Sequence, residues 1–303
     1  MHSPLNSLSG RASPRYLDVG LTVGVVAVSF AAIFIRLADA PPLVIAAYRM
    51  SIGAGVMVVL AAAAMWRRKS GLGLSRKDLP LLGFSSLCLA VHFWSWIASL
   101  EYTSVASSVV LVTTNPFIVA VASRVLWGEP IYKRTLAGIA IGVAGGVVIA
   151  LGDASGHGKL QGDLLAFMGA LSAAAYMLAG RRLRTRANMP TLTYTSVVYT
   201  GAALLLVAVA IAAEQPFTGY TPGTYAMLLL VALVPQVIGH SLLNWSLAHV
   251  TATVVTISVM AEPIIATAAA VPILRELPPV TSVAGGALVL AGIYVSLGRR
   301  KAA

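Results

Sequence analysis

Ten apolar runs follow one another along the chain, each about as long as the 20-residue helix that crosses a bilayer. Of the 303 residues, 58% are hydrophobic and 10% are charged, whereas a soluble domain has about one quarter charged residues. The runs are Leu17–Leu37, Leu43–Met65, Leu79–Leu100, Ser104–Trp127, Thr135–Leu151, Gly162–Arg181, Pro190–Ala213, Pro222–Leu247, Thr251–Leu274 and Val280–Leu297. They predict an all-α membrane protein with ten transmembrane helices.

The basic residues indicate how these helices are oriented. With the N-terminus in the cytoplasm, 17 of the 21 lysine and arginine residues fall on the inner side and three on the outer side. This bias predicts cytoplasmic termini, residues 1–16 and 299–303, in the plasma membrane, which is the inner membrane of a bacterium. The net charge of +11 follows the membrane topology, so we expect no nucleic-acid partner.

An internal duplication divides the chain into two halves. Thr253–Glu276 repeats Ala106–Glu129 without a gap, 147 residues later in the chain. The predicted repeats are residues 17–152 and 160–298, with five helices each. Because five is odd, the second repeat enters the membrane from the opposite side and is inverted relative to the first. Inverted repeats are typical of secondary transporters, whose halves rock to open a central cavity to each side in turn.

A polar residue followed by proline lies in the middle of each copy: Asn115-Pro116 in the first and Glu262-Pro263 in the second. A charged acid at the bilayer centre costs about 2.5 kcal/mol or more. Glu262 is therefore a proton- or cation-coupling site, a contact for a substrate ammonium group, or a neutral donor to the backbone carbonyl that Pro263 leaves without a partner. Asn115 fits the second role, which both copies share. We expect the halves to hinge at these two dipeptides.

Arg49 is the other charged residue expected inside a transmembrane helix. At ~1.5 Å per residue it lies about 10 Å below the outer surface. A guanidinium group there can fork onto a carboxylate, including that of an amino-acid substrate. The alternative is a structural pair, or bonds to carbonyl groups at a helix end.

Polar side chains recur at four-residue spacing in the third and eighth predicted helices. Cys88, His92 and Trp96 form one stripe, and Gln236, His240 and Asn244 form the other. Residues four apart share a helix face, so both stripes are predicted to line a cavity, with His92 near the outer mouth and His240 near the inner one. Hydrogen bonding between helices is the alternative. We expect no metal site, because the two histidines differ in depth and a third ligand is not evident.

Three tyrosines in the sixth and seventh predicted helices are further candidates. Tyr176, Tyr194 and Tyr199 could form walls that stack on an aromatic or cationic substrate. Packing between helices explains each of them equally simply.

Taken together, these motifs resemble the drug/metabolite transporter superfamily, in its ten-helix branch of paired EamA-type domains. The resemblance rests on Ala47-Tyr48-Arg49, Thr114-Asn115-Pro116-Phe117, Leu126-Trp127-Gly128-Glu129, Gly162-Asp163-Leu164-Leu165, Ala261-Glu262-Pro263-Ile264 and Glu276. It covers nearly the whole chain. It departs at Arg275, where the pattern usually has glycine, and this leaves the tightness of the turn after the ninth helix open. Known members export amino acids, including aromatic ones, and other metabolites.

The expected function is the export of small metabolites, above all amino acids, by alternating access through a central cavity. One alternative is a proton-coupled exporter of drugs or other metabolites that uses Glu262. The other is an intramembrane enzyme, but the chain has neither His-Glu-x-x-His nor Gly-x-Ser-x-Gly, so we expect no enzyme activity. We expect no cofactor, and a monomer or a homodimer.

Overall fold

The computed structural model describes residues 14–68, 74–128, 131–152, 160–186, 189–246, 258–259 and 261–297. This part is almost entirely helical and contains no β-strand, so the prediction of an all-α protein is confirmed. Both chain ends, Glu129 and the predicted helix break at Ala248–Val250 lie outside the described residues.

The helices of the described part lie in the predicted order. They are α1 (Pro14–Ser29), α2 (Ala31–Leu37), α3 (Pro42–Arg68), α4 (Leu79–Ser99), α5 (Val105–Val112), α6 (Asn115–Trp127), α7 (Lys133–Gly152), α8 (Leu160–Arg186), α9 (Thr191–Ala212), α10 (Pro222–Val231), a π-helical segment (Ala232–Gly239), α11 (His240–Ser246), α12 (Ala261–Leu274) and α13 (Val280–Leu297). Eight spans are long and apolar enough to cross a membrane, and α12 and α13 are shorter apolar helices. Together they account for the ten predicted crossings.

Three of these crossings are assembled from consecutive helical pieces rather than from one continuous α-helix. The first combines α1 and α2, the fourth combines α5 and α6, and the eighth runs through the π-helical segment. Hydrophobic periodicity does not register such interruptions, because apolar residues continue through them.

The predicted hinge residues lie at helix starts. Pro116 is in the first turn of α6, and Glu262 is in the first turn of α12. Proline is well tolerated there because the first backbone N–H groups have no partner inside the helix. The hydroxyl groups of Thr113 and Thr114 donate to carbonyl oxygens of the preceding turn, at 2.8 and 2.7 Å. Threonines therefore supply hydrogen bonds at the break between α5 and α6.

The turn after α12 is as tight as its counterpart, although it lacks the expected glycine. Arg275 has a φ of 55°, and Gly128, which precedes it by 147 residues, has a φ of 70°. The amide of Glu276 donates to the carbonyl oxygen of Ala270 at 3.3 Å, six residues back, which is one residue further than in a Schellman ending. The left-handed conformation costs a non-glycine residue about 1–2 kcal/mol, so the fold holds Arg275 in it against a local preference.

Glycines let α7 and α13 pack backbone against backbone. A Cβ atom on Gly145 would lie 2.5 Å from the carbonyl oxygen of Gly285, and one on Gly292 would lie 2.5 Å from that of Gly138. No side chain fits at that distance, and small residues allow such an approach. The pairing runs antiparallel. Gly138 corresponds to Gly285 and Gly145 to Gly292 at the spacing of 147, so the duplication exchanges the two contacts.

Two further glycine contacts lie next to the polar stripes. A Cβ atom on Gly169 of α8 would lie 3.3 Å from the Cβ of Trp96 in α4. One on Gly24 of α1 would lie 3.2 Å from the Cβ of Leu242 and 3.3 Å from Leu243, both in α11. Close approach at glycine therefore joins α8 to α4 and α1 to α11.

We expect Gly145→Ala to destabilise the protein, because its new methyl group would overlap the backbone of α13. Overpacking of this kind costs about 1–3 kcal/mol, so the unfolding temperature of the detergent-purified protein should fall by several degrees. Gly146→Ala is the matched control, because the nearest atom to its Cβ is 3.8 Å away. Equal unfolding temperatures for the two variants would contradict the close contact of α7 and α13.

Candidate functional site

The guanidinium group of Arg49 lies at the centre of the site. Arg49 projects from α3 and is 1% exposed. Its Nε donates to Oε1 of Gln236 at 2.9 Å, and its Nη2 lies 3.4 Å from Nε2 of His240. Because a guanidinium group can only donate, Nε2 of His240 is the acceptor. Three residues expected to line a cavity are thus in mutual contact.

Aromatic rings cover the same guanidinium group. Its Cζ atom lies 4.2 Å from the centroid of the Phe93 ring and 5.5 Å from that of Trp96. Rings within about 6 Å attract a cation through their negative faces. His92 stacks on Trp96 with centroids 6.2 Å apart and planes at 7°. The stripe on α4 therefore contacts Arg49 through its aromatic members.

Both histidines lie beside the same aromatic ring. The ring centroid of Phe93 lies 4.8 Å from that of His92 and 6.5 Å from that of His240. Phe93 therefore contacts both histidines, one from α4 and one from α11. Nδ1 of His92 donates to the carbonyl oxygen of Gly169 at 2.9 Å, which fixes the orientation of the ring.

The π-helical segment positions the second stripe. It contains Pro235, whose missing N–H interrupts the ordinary helical hydrogen bonds. The wider turn places Gln236, 1% exposed, against α3. Gly53, one turn beyond Arg49, leaves room for it: a Cβ atom there would lie 3.1 Å from Cγ of Gln236 and 4.0 Å from Cδ2 of Tyr199. Such π-helical turns recur at functional sites.

Two polar hydrogens in this cluster have no partner. Nη1 of Arg49 and Nε1 of Trp96 are both buried, and neither has a hydrogen-bond acceptor within the described residues. An unpaired buried donor costs about 1–3 kcal/mol. Because leaving these two donors unpaired is costly, a ligand that binds beside the guanidinium group can supply the missing acceptor.

Glu262, the acid predicted in the middle of the ninth crossing, is half-buried in the first turn of α12. Pro263 beside it is buried.

The tyrosines divide between the cluster and the surrounding packing. Tyr199 is buried beside Gln236 and belongs to the cluster. The hydroxyl groups of Tyr194 and Ser85 are 2.7 Å apart, and the Tyr194 ring stacks on Tyr176 at 5.9 Å. These two therefore join α8, α9 and α4 to one another. The side chain of Asn244 lies outside the described part of the structure.

Sequence reasoning missed Phe93, Gly53 and Gly169. The four-residue pattern includes only polar side chains, so it does not select Phe93, which is apolar and lies between two members of the stripe. Its position next to His92 was the available signal. The two glycines carry no side chain, and only the close approach of α8 and the π-helical segment shows their contribution.

One end of the bundle is joined by the carboxylate of Glu276, and we call it the Glu276 end. Oε2 of Glu276 accepts from Arg36 at 2.7 Å, and Oε1 accepts from the amide of Val105 at 2.7 Å. The hydroxyl groups of Ser107 and Ser282 are 2.8 Å apart. These contacts tie α2, α5 and α13 together. The positive end of the α5 dipole further favours the carboxylate.

Within the described residues, no group of three His, Cys, Asp or Glu side chains comes close enough to hold a metal ion. The cluster is instead made of one cation, neutral hydrogen-bonding groups and aromatic faces. Such a set can bind and orient an organic molecule.

A model of the EamA-like transporter family matches the chain twice, over residues 18–151 and 160–298. The chain belongs to the EamA-like transporter family. The resemblance inferred from the sequence motifs is confirmed, and the protein is a membrane transporter of the drug/metabolite type.

Relatives of this EamA-like transporter include proteins named as exporters. The chain is 25% identical to an uncharacterised transporter of Archaeoglobus fulgidus over 95% of this chain and 99% of that protein. It is 23% identical to the pseudopaline exporter CntI of Pseudomonas aeruginosa, over 87% and 88%. It is 26% identical to a probable terminal-alkyne amino-acid exporter of Streptantibioticus cattleyicolor, over 77% and 80%.

A solved crystal structure shares the fold of this EamA-like transporter. The two superpose with a TM-score of 0.64, covering 93% of this chain and 96% of the other, at 20% sequence identity. The likeness thus extends over both halves of the chain and concerns the fold alone.

Proposed function

We propose that the protein exports small metabolites, principally amino acids and among them aromatic ones, as a secondary transporter. The observation that carries the proposal is the Arg49 cluster, with its two unpartnered donors buried between α3, α4 and the π-helical segment. Polar residues inside a membrane protein are costly and usually mark a substrate path. A transporter changes no covalent bond, so we assign no catalytic residue.

The names of two relatives agree with this substrate class. One relative is named for the export of pseudopaline and another for the export of an amino acid. The ring faces of Phe93 and Trp96 beside Arg49 fit a small organic substrate with an apolar part better than a bare inorganic ion.

We propose alternating access between two inverted halves, residues 17–152 and 160–298. Support comes from the contacts that the duplication exchanges, such as Gly145 with Gly285 and Gly138 with Gly292, because two inverted halves can trade conformations. The helix starts at Pro116 and Pro263 serve as hinges, since a helix can bend there without exposing new backbone to lipid. The contacts at the Glu276 end would separate when that end opens.

The orientation follows from the lysine and arginine bias, with both termini in the cytoplasm of a bacterial inner membrane and the Glu276 end outside. We expect a reporter fused after Gly156 to read outside and one fused after Arg184 to read inside. The physical reason is the 17-to-3 distribution of basic residues. Alkaline phosphatase and fluorescent-protein fusions measure the two sides. The reverse pair of readings would refute this orientation.

Transport itself is tested by counterflow into liposomes that contain the purified protein. We expect counterflow of an amino acid from a panel that also holds sugars, nucleotides and organic cations. Trp96→Ala and His92→Ala should reduce it roughly tenfold, the equivalent of about 1.4 kcal/mol of lost interaction, because both rings pack beside Arg49.

Trp94→Ala is the matched control for this measurement, because Trp94 is 38% exposed whereas Trp96 is 4% exposed. Its counterflow should stay at the wild-type level. Normal counterflow by the Trp96 and His92 variants would show that those two residues have only a packing role. A panel without any counterflow would refute the proposed transport.

A second candidate is proton-coupled export through Glu262, an acid within a membrane-spanning helix. We expect facilitative transport, so Glu262→Gln, which keeps the size and a hydrogen-bond donor, should continue to exchange substrate with the pH dependence of the wild type. Substrate-induced pH changes in proteoliposomes measure this. A stoichiometric proton flux that occurs in the wild type and disappears in the variant would instead establish coupling through Glu262.

A further inference from the structure

The two unpartnered donors of the cluster lie close together. The Cζ atom of Arg49 is 5.5 Å from the centroid of the Trp96 ring, and the free hydrogens are those of Nη1 and Nε1. Each can form a hydrogen bond of about 2.9 Å. One bound group with two acceptor atoms can therefore reach both donors at once.

The other polar atoms around Arg49 are already engaged. Gln236 accepts from Nε, and His240 accepts from Nη2. His92 uses Nδ1 to bind the carbonyl oxygen of Gly169. What the cluster lacks is an acceptor, since both unsatisfied atoms are donors. An alcohol, an amine or an ammonium group brings donors of its own, whereas an ionised carboxylate accepts only.

Charge points in the same direction. The Arg49 guanidinium is a buried cation, and its Nη1 has no hydrogen-bond partner among the described residues. A carboxylate that bound Nη1 would form a charge-assisted bond, which is about twice as strong as a neutral one. An ammonium group placed at the same point would be repelled by the guanidinium group.

We propose that the site recognises its substrate by a carboxylate group, bound by Nη1 of Arg49 and Nε1 of Trp96, and that an amino group is not required. This inference rests on the proposed function and narrows its substrate class to small organic acids, of which amino acids are one kind. Trp96 is therefore a specificity-determining residue, and its indole N–H is the group that recognises the carboxylate.

Three matched probes separate the head groups while they keep the same ring. Phenylalanine carries a carboxylate and an ammonium group, 3-phenylpropionate carries the carboxylate alone, and phenylalaninamide carries the ammonium group alone. The measurement is the unfolding temperature of the purified wild-type protein in lipid nanodiscs with increasing probe concentration, because a ligand stabilises the state that binds it. Phenylalanine and 3-phenylpropionate should raise the unfolding temperature, and phenylalaninamide should leave it unchanged.

Trp96→Phe tests the indole N–H without removing the ring. The smaller ring leaves a cavity beside His92, so the probe-free variant should unfold at a lower temperature than the wild type, and its probe-induced shifts are measured from its own probe-free temperature. Its affinity for 3-phenylpropionate should fall about tenfold or more, as expected for the loss of a hydrogen bond to a charged group. Trp94→Phe, changed at the more exposed neighbouring tryptophan, should match the wild type in both measurements.

Three outcomes would overturn the inference: equal stabilisation by phenylalaninamide and 3-phenylpropionate, no stabilisation by either carboxylate, or unchanged carboxylate affinity in Trp96→Phe. Counterflow in liposomes distinguishes this failure from that of the proposed function. Counterflow of solutes that lack a carboxylate would support the proposed transport function and refute only the carboxylate site. If no solute showed counterflow, both the transport function and the carboxylate site would be refuted.

Discussion

A positive charge buried in the interior of the helix bundle determines which residues can surround it. The guanidinium group of Arg49 is almost completely removed from solvent, and an isolated charge in such surroundings is costly. The protein lowers this cost with the Gln236 amide, the His240 ring and the faces of Phe93 and Trp96. The cost is not removed completely, because Nη1 of the guanidinium has no hydrogen-bond partner among the described residues.

That arrangement depends on how closely the helices approach one another. Apolar side chains gain little by leaving lipid for protein, so contact between helices in a membrane relies on packing and on small residues. Gly53 leaves room for Gln236, and Gly169 brings α8 against Trp96. Glycines also allow α7 to pack against α13, far from the cluster. The site and the scaffold are therefore built with the same device, the absence of a side chain where two backbones meet.

Interrupted helices serve a transporter for a physical reason. A continuous helix satisfies its own backbone and resists bending, whereas a break inside a membrane must satisfy the freed carbonyl groups from elsewhere. Threonine hydroxyls do so between α5 and α6. In the eighth crossing the π-helical segment accommodates Pro235 and turns Gln236 toward Arg49. The π-helical break lies beside the cluster, where a change of shape can affect what the cluster binds.

The sequence by itself determined the helical class, the ten crossings and the family, because apolar length and the 147-residue duplication are properties of the chain order. It also selected Arg49, Gln236, His240, His92 and Trp96, since polar residues in apolar helices stand out. Only the tertiary structure decided that both histidines meet at Phe93, that Tyr194 packs away from Arg49, and that two donors remain free. Helix crossings, π-helical turns and glycine contacts set these distances, and none of them has a periodic signature in the sequence.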